Sequence, residues 1–216
     1  MIDWENINSV FLDMDGTLLD LNFDNHFWLE FVPQRYAALH RLSLTDAKSQ
    51  LEPRFEAMEG RLEWYCLDYW SEVLGLDIAG LKLEVAGLIA VLPGVPEFLI
   101  RIRETGKRVV LVTNAHQKSL GLKMERTCLR EFFDAIVSSH DVGFPKENPL
   151  FWHQLAAIEG FEPERTVLVD DSLSVLRSAR IFGIRHLIAV SKHDSTKPPR
   201  QITEFPSVES LLEITP

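Results

Sequence analysis

Two carboxylates stand directly behind a short apolar run: Val10-Phe11-Leu12 leads into Asp13-Met14-Asp15-Gly16-Thr17. Like charges held together cost energy unless a cation or a shared proton compensates them. A magnesium site with one carboxylate free to attack phosphorus accounts for the pair economically. An Asp-Gly turn after an ordinary strand is the plainer reading of these five residues taken alone. Three further polar elements follow other apolar runs. They are Thr113-Asn114 behind Val109-Val110-Leu111-Val112, Lys146 in Gly143-Phe144-Pro145-Lys146, and Asp170-Asp171 behind Thr166-Val167-Leu168-Val169. Each type has a use in phosphate ester chemistry, where the ester's own oxygens repel an anionic nucleophile. Asp13 and one member of the 170–171 pair would hold a divalent cation that neutralises this charge. A hydroxyl and backbone N–H groups at Thr113-Asn114 would receive phosphate oxygens. Lys146 would supply a cation for the phosphate and keep the nucleophilic carboxylate ionised.

These groups can meet only if the runs before them lie side by side. The segments 9–12, 108–112, 135–137, 166–169 and 186–190 read as strands. Several are continuous apolar blocks, the pattern of strands buried on both faces, as in a parallel sheet. Helical periodicity separates the later ones. Val95, Phe98, Leu99 and Ile102 recur at helical spacing, with Gly106 as a stop. Ser172 is placed to cap a helix whose apolar face is Val175, Leu176, Ala179 and Phe182, with Gly183 beyond it. Alternating strand and helix predicts a doubly wound α/β core, where ligands bind outside the carboxyl ends of the strands.

Residues 20–91 differ, with helical patterns and no convincing strand. One helix is expected from Asp24 or Asn25 through Phe27, Trp28 and Phe31 until Pro33 disturbs it. Others are expected over 43–58 with a kink at Pro53, around Leu67, Trp70 and Leu74 up to Gly75, and around Leu81, Val85 and Leu88. The expected organisation is a Rossmann-like core of residues 1–19 and 92–216 with an α-helical cap, 20–91, inserted after the first strand.

Composition excludes several classes. The chain has 216 residues and a net charge of −10, which argues against a binder of nucleic-acid polymers. No apolar run approaches the roughly 20 residues that span a bilayer, so no membrane association is expected. Cys66 and Cys128, far apart and outside any C-x-x-C pair, suit a reducing cytoplasm and are expected to offer neither a disulfide framework nor a zinc site. No Walker loop or G-x-G-x-x-G is present.

In this order, each behind a strand, the four elements resemble the motifs of the haloacid dehalogenase-like hydrolases: Asp13-Met14-Asp15-Gly16-Thr17, Thr113-Asn114, Lys146 and Asp170-Asp171. The likeness runs over essentially the whole chain, with 20–91 in the place of that family's helical cap. It implies Mg²⁺ and an aspartyl-phosphate intermediate. It implies Asp13 as nucleophile and Asp15 as general acid/base that also lends its backbone carbonyl to the metal. Asp170 becomes the fourth-motif ligand, with Asp171 acting through water or from behind the ligands. In the cap, residues 23–28 and 64–72 are similar to those of bacterial GMP/IMP nucleotidase members of that family, implying a purine 5′-monophosphate substrate. A phosphomutase, or a phosphatase for a phosphosugar, would carry the same four motifs. A receiver-type signalling domain would carry its aspartate mid-chain, without the insert. Phe23, next to the catalytic loop, is the expected residue to stack on a purine, while most of Trp28, Trp64 and Trp70 are expected in the cap's own core.

Overall fold

The computed structural model describes residues 2–216. Six parallel strands form one sheet in the order β3-β2-β1-β4-β5-β6: β1 Ser9–Leu12, β2 Arg108–Thr113, β3 Ala135–Ser138, β4 Thr166–Asp170, β5 His186–Val190 and β6 Ser207–Val208. The sheet is buried on both faces, and the period of two divides each strand between them. Val10, Leu12, Val109, Leu111, Val167 and Val169 face one apolar layer, and Phe11, Val110, Val112 and Leu168 the other.

The helices are α1 Asn22–His26, α2 Val32–His40, α3 Leu44–Glu56, α4 Leu62–Tyr65, α5 Leu67–Leu74, α6 Ile78–Glu84, α7 Val95–Glu104, α8 Gln117–Thr127, α9 Ser139–Val142, α10 Pro149–Glu159 and α11 Leu173–Phe182. Helices α7 and α8 pack on the first layer. Helices α10 and α11 pack on the second. The chain thus fits a Rossmann-like α/β fold. Its path steps outward from β1 to β2 and β3, then crosses back to β4 on the other side of β1. That reversal leaves a crevice beyond the ends of β1 and β4, the usual ligand position in such sheets.

Helices α2 to α6 and the turn before α2 form a separate apolar cluster built on Phe27, Val32, Tyr36, Leu51, Leu67, Trp70, Leu74 and Ile78. The chain enters and leaves this cluster at adjoining points. Leu19 bridges Val91 in antiparallel fashion, the Asp20 N–H reaches Ala90 O at 2.9 Å, and the Leu92 N–H reaches Leu18 O at 2.9 Å. Pro33 does not end the first helix. Residues Phe27–Phe31 form a π-helical turn, closed by the Val32 N–H on Phe27 O, and α2 continues from it. A proline has no N–H to give and its ring crowds the carbonyl one turn back; widening the preceding turn accommodates both. Among the described residues no helix is long and apolar enough to cross a membrane.

Candidate active site

Asp13 follows β1 and is fixed by its N–H on Val169 O at 3.0 Å. Gly16 turns the chain at φ +85°, and the Gly16 N–H closes the loop on Leu19 O at 2.7 Å. A Cβ at position 16 would stand 2.7 Å from Cγ of Asp171, so two motifs distant in sequence meet there at contact distance.

Lys146 lies in the turn between α9 and α10 and is 2 % exposed. Its Nζ donates to Asp13 Oδ1 at 2.5 Å, Asp170 Oδ2 at 2.7 Å and Val112 O at 3.0 Å, using all three of its hydrogens. Its backbone is held too. The Lys146 N–H donates to Asn114 Oδ1 at 2.9 Å, and the Trp152 indole donates to Lys146 O at 3.1 Å. Oxygens of Asp13, Asp170 and Asp171 lie within 4.8 Å of one another. Burial pushes Asp13 up to about 7, with Asp170 adding to the rise and Lys146 opposing it. Burial also raises Asp170, against Lys146, and raises Asp171 well above its ordinary range, with Asp170 and Asp13 adding to that second rise. Lys146, with Arg200 3.8 Å from Asp171, leaves the three carboxylates short of neutrality. An all-oxygen, triply acidic donor set fits a hard divalent cation such as Mg²⁺. Asp171 stands in the same cluster as Asp13 and Asp170.

The second motif divides its work. Thr113 Oγ1 accepts the Ala115 N–H at 3.0 Å and keeps its own proton to give. The Asn114 side chain is committed at both ends. Its Oδ1 holds Lys146, and its Nδ2 donates to Glu147 Oε2 at 2.9 Å. It orients the lysine, and its second Nδ2 hydrogen is left to give. Glu147 in turn accepts the Tyr65 hydroxyl at 2.5 Å, so a cap residue leans on the loop that carries Lys146.

Asp15 belongs to a different arrangement. Lys123 Nζ, on α8, donates to Asp15 Oδ1 and to Asp24 Oδ2, each at 2.7 Å, and Lys82 Nζ, on α6, donates to Asp24 Oδ1 at 2.6 Å. Four charges alternate in sign from the loop after β1 to the helical unit. Burial raises Asp15 to about 6 despite Lys123. Burial would raise Asp24 as well, but Lys123 and Lys82 overcome it and hold that carboxyl well below its ordinary range. Burial works against the charge on Lys123, and the two carboxylates outweigh it, raising Lys123 to about 12. Neither lysine nor this role of Asp24 was expected from sequence. The available signal was position: Lys82 follows buried Ile78 by four residues, and Lys123 lies between buried Leu120 and Met124. A lysine on the inward face of a helix needs a buried partner.

Phe23 corrects its expected role. It is 1 % exposed and does not line the cavity. Lys82 Nζ lies 4.8 Å and Lys123 Nζ 5.3 Å from its ring centre, so Phe23 shields the charge chain and meets its cations through the ring. The cavity is about 330 Å³ in volume. Asp13, Asp15, Thr113, Lys146, Asp170 and Asp171 line its polar end, while Trp28, Phe55, Trp64, Tyr65, Leu67 and Trp70 line the cap side. Trp28, Trp64 and Trp70 thus serve both the cap core and the cavity wall.

Comparison with known proteins places this geometry. The sequence pattern of the haloacid dehalogenase-like hydrolases matches residues 7–183. The chain is 38% identical over 215 residues to the GMP/IMP nucleotidase YrfG of Escherichia coli (strain K12), covering 100% of this chain and 97% of that protein. It is 27% identical over 187 residues to the pyrimidine 5′-nucleotidase YjjG of the same organism, covering 79% and 77%. A HAD phosphatase from Thermococcus onnurineus shares the fold, with a TM-score of 0.81 at 21% identity over 96% of each chain. A buried aspartate–lysine–aspartate cluster at the switch point of a parallel sheet and a match over most of its length lead to one conclusion: the chain belongs to the haloacid dehalogenase-like hydrolases.

Proposed function

We propose that this protein is a Mg²⁺-dependent 5′-nucleotidase for purine monophosphates that works through an aspartyl phosphate in the cytoplasm. The observation that carries the reading is the joining of two unlike surfaces in one cavity. A buried carboxylate cluster with Lys146 at its centre lies at one end and a wall of aromatic rings at the other. The full-length likeness to a GMP/IMP nucleotidase supports the choice of base. The two free cysteines suit a reducing compartment.

Asp13, Asp170 and Asp171 are the residues to hold Mg²⁺, which when bound neutralises phosphate charge and orients the phosphoryl group. The steps belong to the chain's own side chains. An Asp13 carboxylate oxygen attacks phosphorus, the Asp13–phosphorus bond forms and the ester P–O bond breaks. The leaving ribose oxygen takes its proton from Asp15, whose carboxyl at about 6 is partly protonated near neutrality. Asp15, now ionised, removes a proton from water. That water attacks the phosphoryl group, freeing phosphate and restoring Asp13. Lys146 opposes the rise in Asp13 and so favours the ionised, attacking form.

The test is phosphate release across GMP, IMP, AMP, pyrimidine monophosphates and hexose phosphates, with and without Mg²⁺. The expected order places GMP and IMP first, with no rate after chelation. Asp13→Asn should abolish release while circular dichroism stays unchanged. A preference for hexose phosphates, or transfer of phosphate to a sugar, would replace the nucleotidase reading with a phosphosugar phosphatase or a phosphomutase. Activity retained by Asp13→Asn would remove the mechanism.

A further inference from the structure

A second group of metal-binding side chains lies outside the carboxylate cluster. The Cys66 sulfur and one ring nitrogen each of His116 and His140 are all within 4.8 Å of one another. They come from three places. Cys66 joins α4 to α5 in the cap, His116 caps the start of α8, and His140 lies on α9. Asp68 Oδ2 is 3.8 Å from His116 Nε2, close enough to complete the set or to fix that ring, while Asp68 Oδ1 accepts Lys118 Nζ at 2.5 Å.

The two rings meet edge to face with centres 4.9 Å apart, which would account for a packed histidine pair. Packing leaves one atom unexplained. His140 Nε2 is buried and has no hydrogen-bond partner. Such an atom calls for an occupant. The other contacts in the cluster are weak: the Tyr69 N–H reaches Cys66 Sγ at 3.4 Å and the Lys118 N–H reaches His116 Nδ1 at 3.4 Å. Both can give way.

We propose that Cys66, His116 and His140 bind a zinc-class divalent ion that ties the cap to the core. Sulfur with two imidazoles is a borderline-soft donor set that selects zinc over magnesium or calcium. Zinc–sulfur bonds of about 2.3 Å and zinc–nitrogen bonds of about 2.0–2.1 Å require the ligand atoms to draw in by at most about 1.5 Å from their limit of 4.8 Å, within reach of side-chain rotation. The site is distinct from the oxygen cluster, which lacks nitrogen and sulfur. It also bears on the cavity, because His116 lines it. An ion here holds the cap down beside the catalytic groups.

The test uses the full chain freed of metal and saturated with Mg²⁺, then titrated with Co²⁺ and back-titrated with Zn²⁺. Expected are a thiolate-to-cobalt charge-transfer band, tetrahedral ligand-field bands, and their loss at one Zn²⁺ per chain. Cys66→Ser should remove the charge-transfer band, and His140→Gln should weaken Zn²⁺ binding at least about 100-fold, more than loss of an outer partner costs. Cys128→Ser and Asp13→Asn should leave the bands in place, which assigns them to this site and makes the result independent of any nucleotidase activity. Circular dichroism verifies that each variant is folded. Absence of the bands in the unaltered chain, bands unchanged in Cys66→Ser, or bands lost with Asp13→Asn would each overturn the proposal.

Discussion

Lys123 carries two jobs in one side chain. It holds the carboxylate of Asp15 and, through Asp24, the first helix of the cap. Lys123→Met keeps the stem and removes the charge, leaving Asp24 with Lys82 and Asp15 with nothing. Breaking a buried ion pair in this way costs about 3–5 kcal/mol, and a loss of that size is expected in urea unfolding. Lys82→Met should cost less, because Asp24 keeps Lys123. On the cavity wall, Trp64 is half-buried against Phe55 and Trp70. Stacking a base on such a ring is worth roughly 1–3 kcal/mol. Trp64→Leu should therefore lower kcat/KM on GMP by about 10-fold or more, and affect nitrophenyl phosphate, which has no purine, much less. Equal losses on both substrates would mean that Trp64 acts only as packing.

At the scale of elements, the loop after β1 is the most tightly constrained. Gly16→Ala places a methyl 2.7 Å from Asp171 Cγ at a backbone angle of φ +85° that disfavours a side chain. The expected result is a displaced Asp171 and a Mg²⁺ requirement raised by about 10-fold or more, read from rate against Mg²⁺ concentration. The central strands are legible because their residues are apolar on both faces, and Asp13, Thr113 and Asp170, at or just past their ends, line one cavity. β6 was not legible, since Ser207–Val208 carries no periodicity. Helix α8 buries only Ser119, Leu120, Lys123 and Met124, too few apolar residues to announce an inward face. Pro33 is expected to disturb its helix, and the disturbance takes the form of one widened turn rather than an end. Phe23 was placed by nearness to Asp15 in sequence, and that nearness buried it among charges instead of opening it to a ligand. Sequence order reports strand ends well; it does not report which side of a cap helix faces the cavity.

In the whole molecule, contacts between the helical unit and the sheet unit are spread over several elements. Lys118 meets Asp68, Tyr65 meets Glu147, and Asn25 Nδ2 meets Asp194 Oδ2 at 2.7 Å. Burial would raise Asp194, but donors on Thr196, Asn25 and Lys197 outweigh it and hold the carboxyl at about 2. A carboxyl held below its unfolded value, about 3.9, stabilises the fold above that pH and loses the benefit as pH falls toward 2. Asp194→Asn should lower stability by about 2 kcal/mol at pH 7, and the gap to the unaltered protein should close between pH 4 and pH 2 in unfolding curves. A gap constant across that range would exclude the charge as its cause.

The pairing of Leu19 with Val91 has an evolutionary consequence. An insertion whose two ends already touch can be exchanged for another without stretching the sheet that receives it. New substrates can then arise by replacing one contiguous stretch of gene, while the residues that make and break bonds stay as they are. The exchange reaches Lys123: a replacement segment without a buried acid at that place leaves the amine to Asp15 alone.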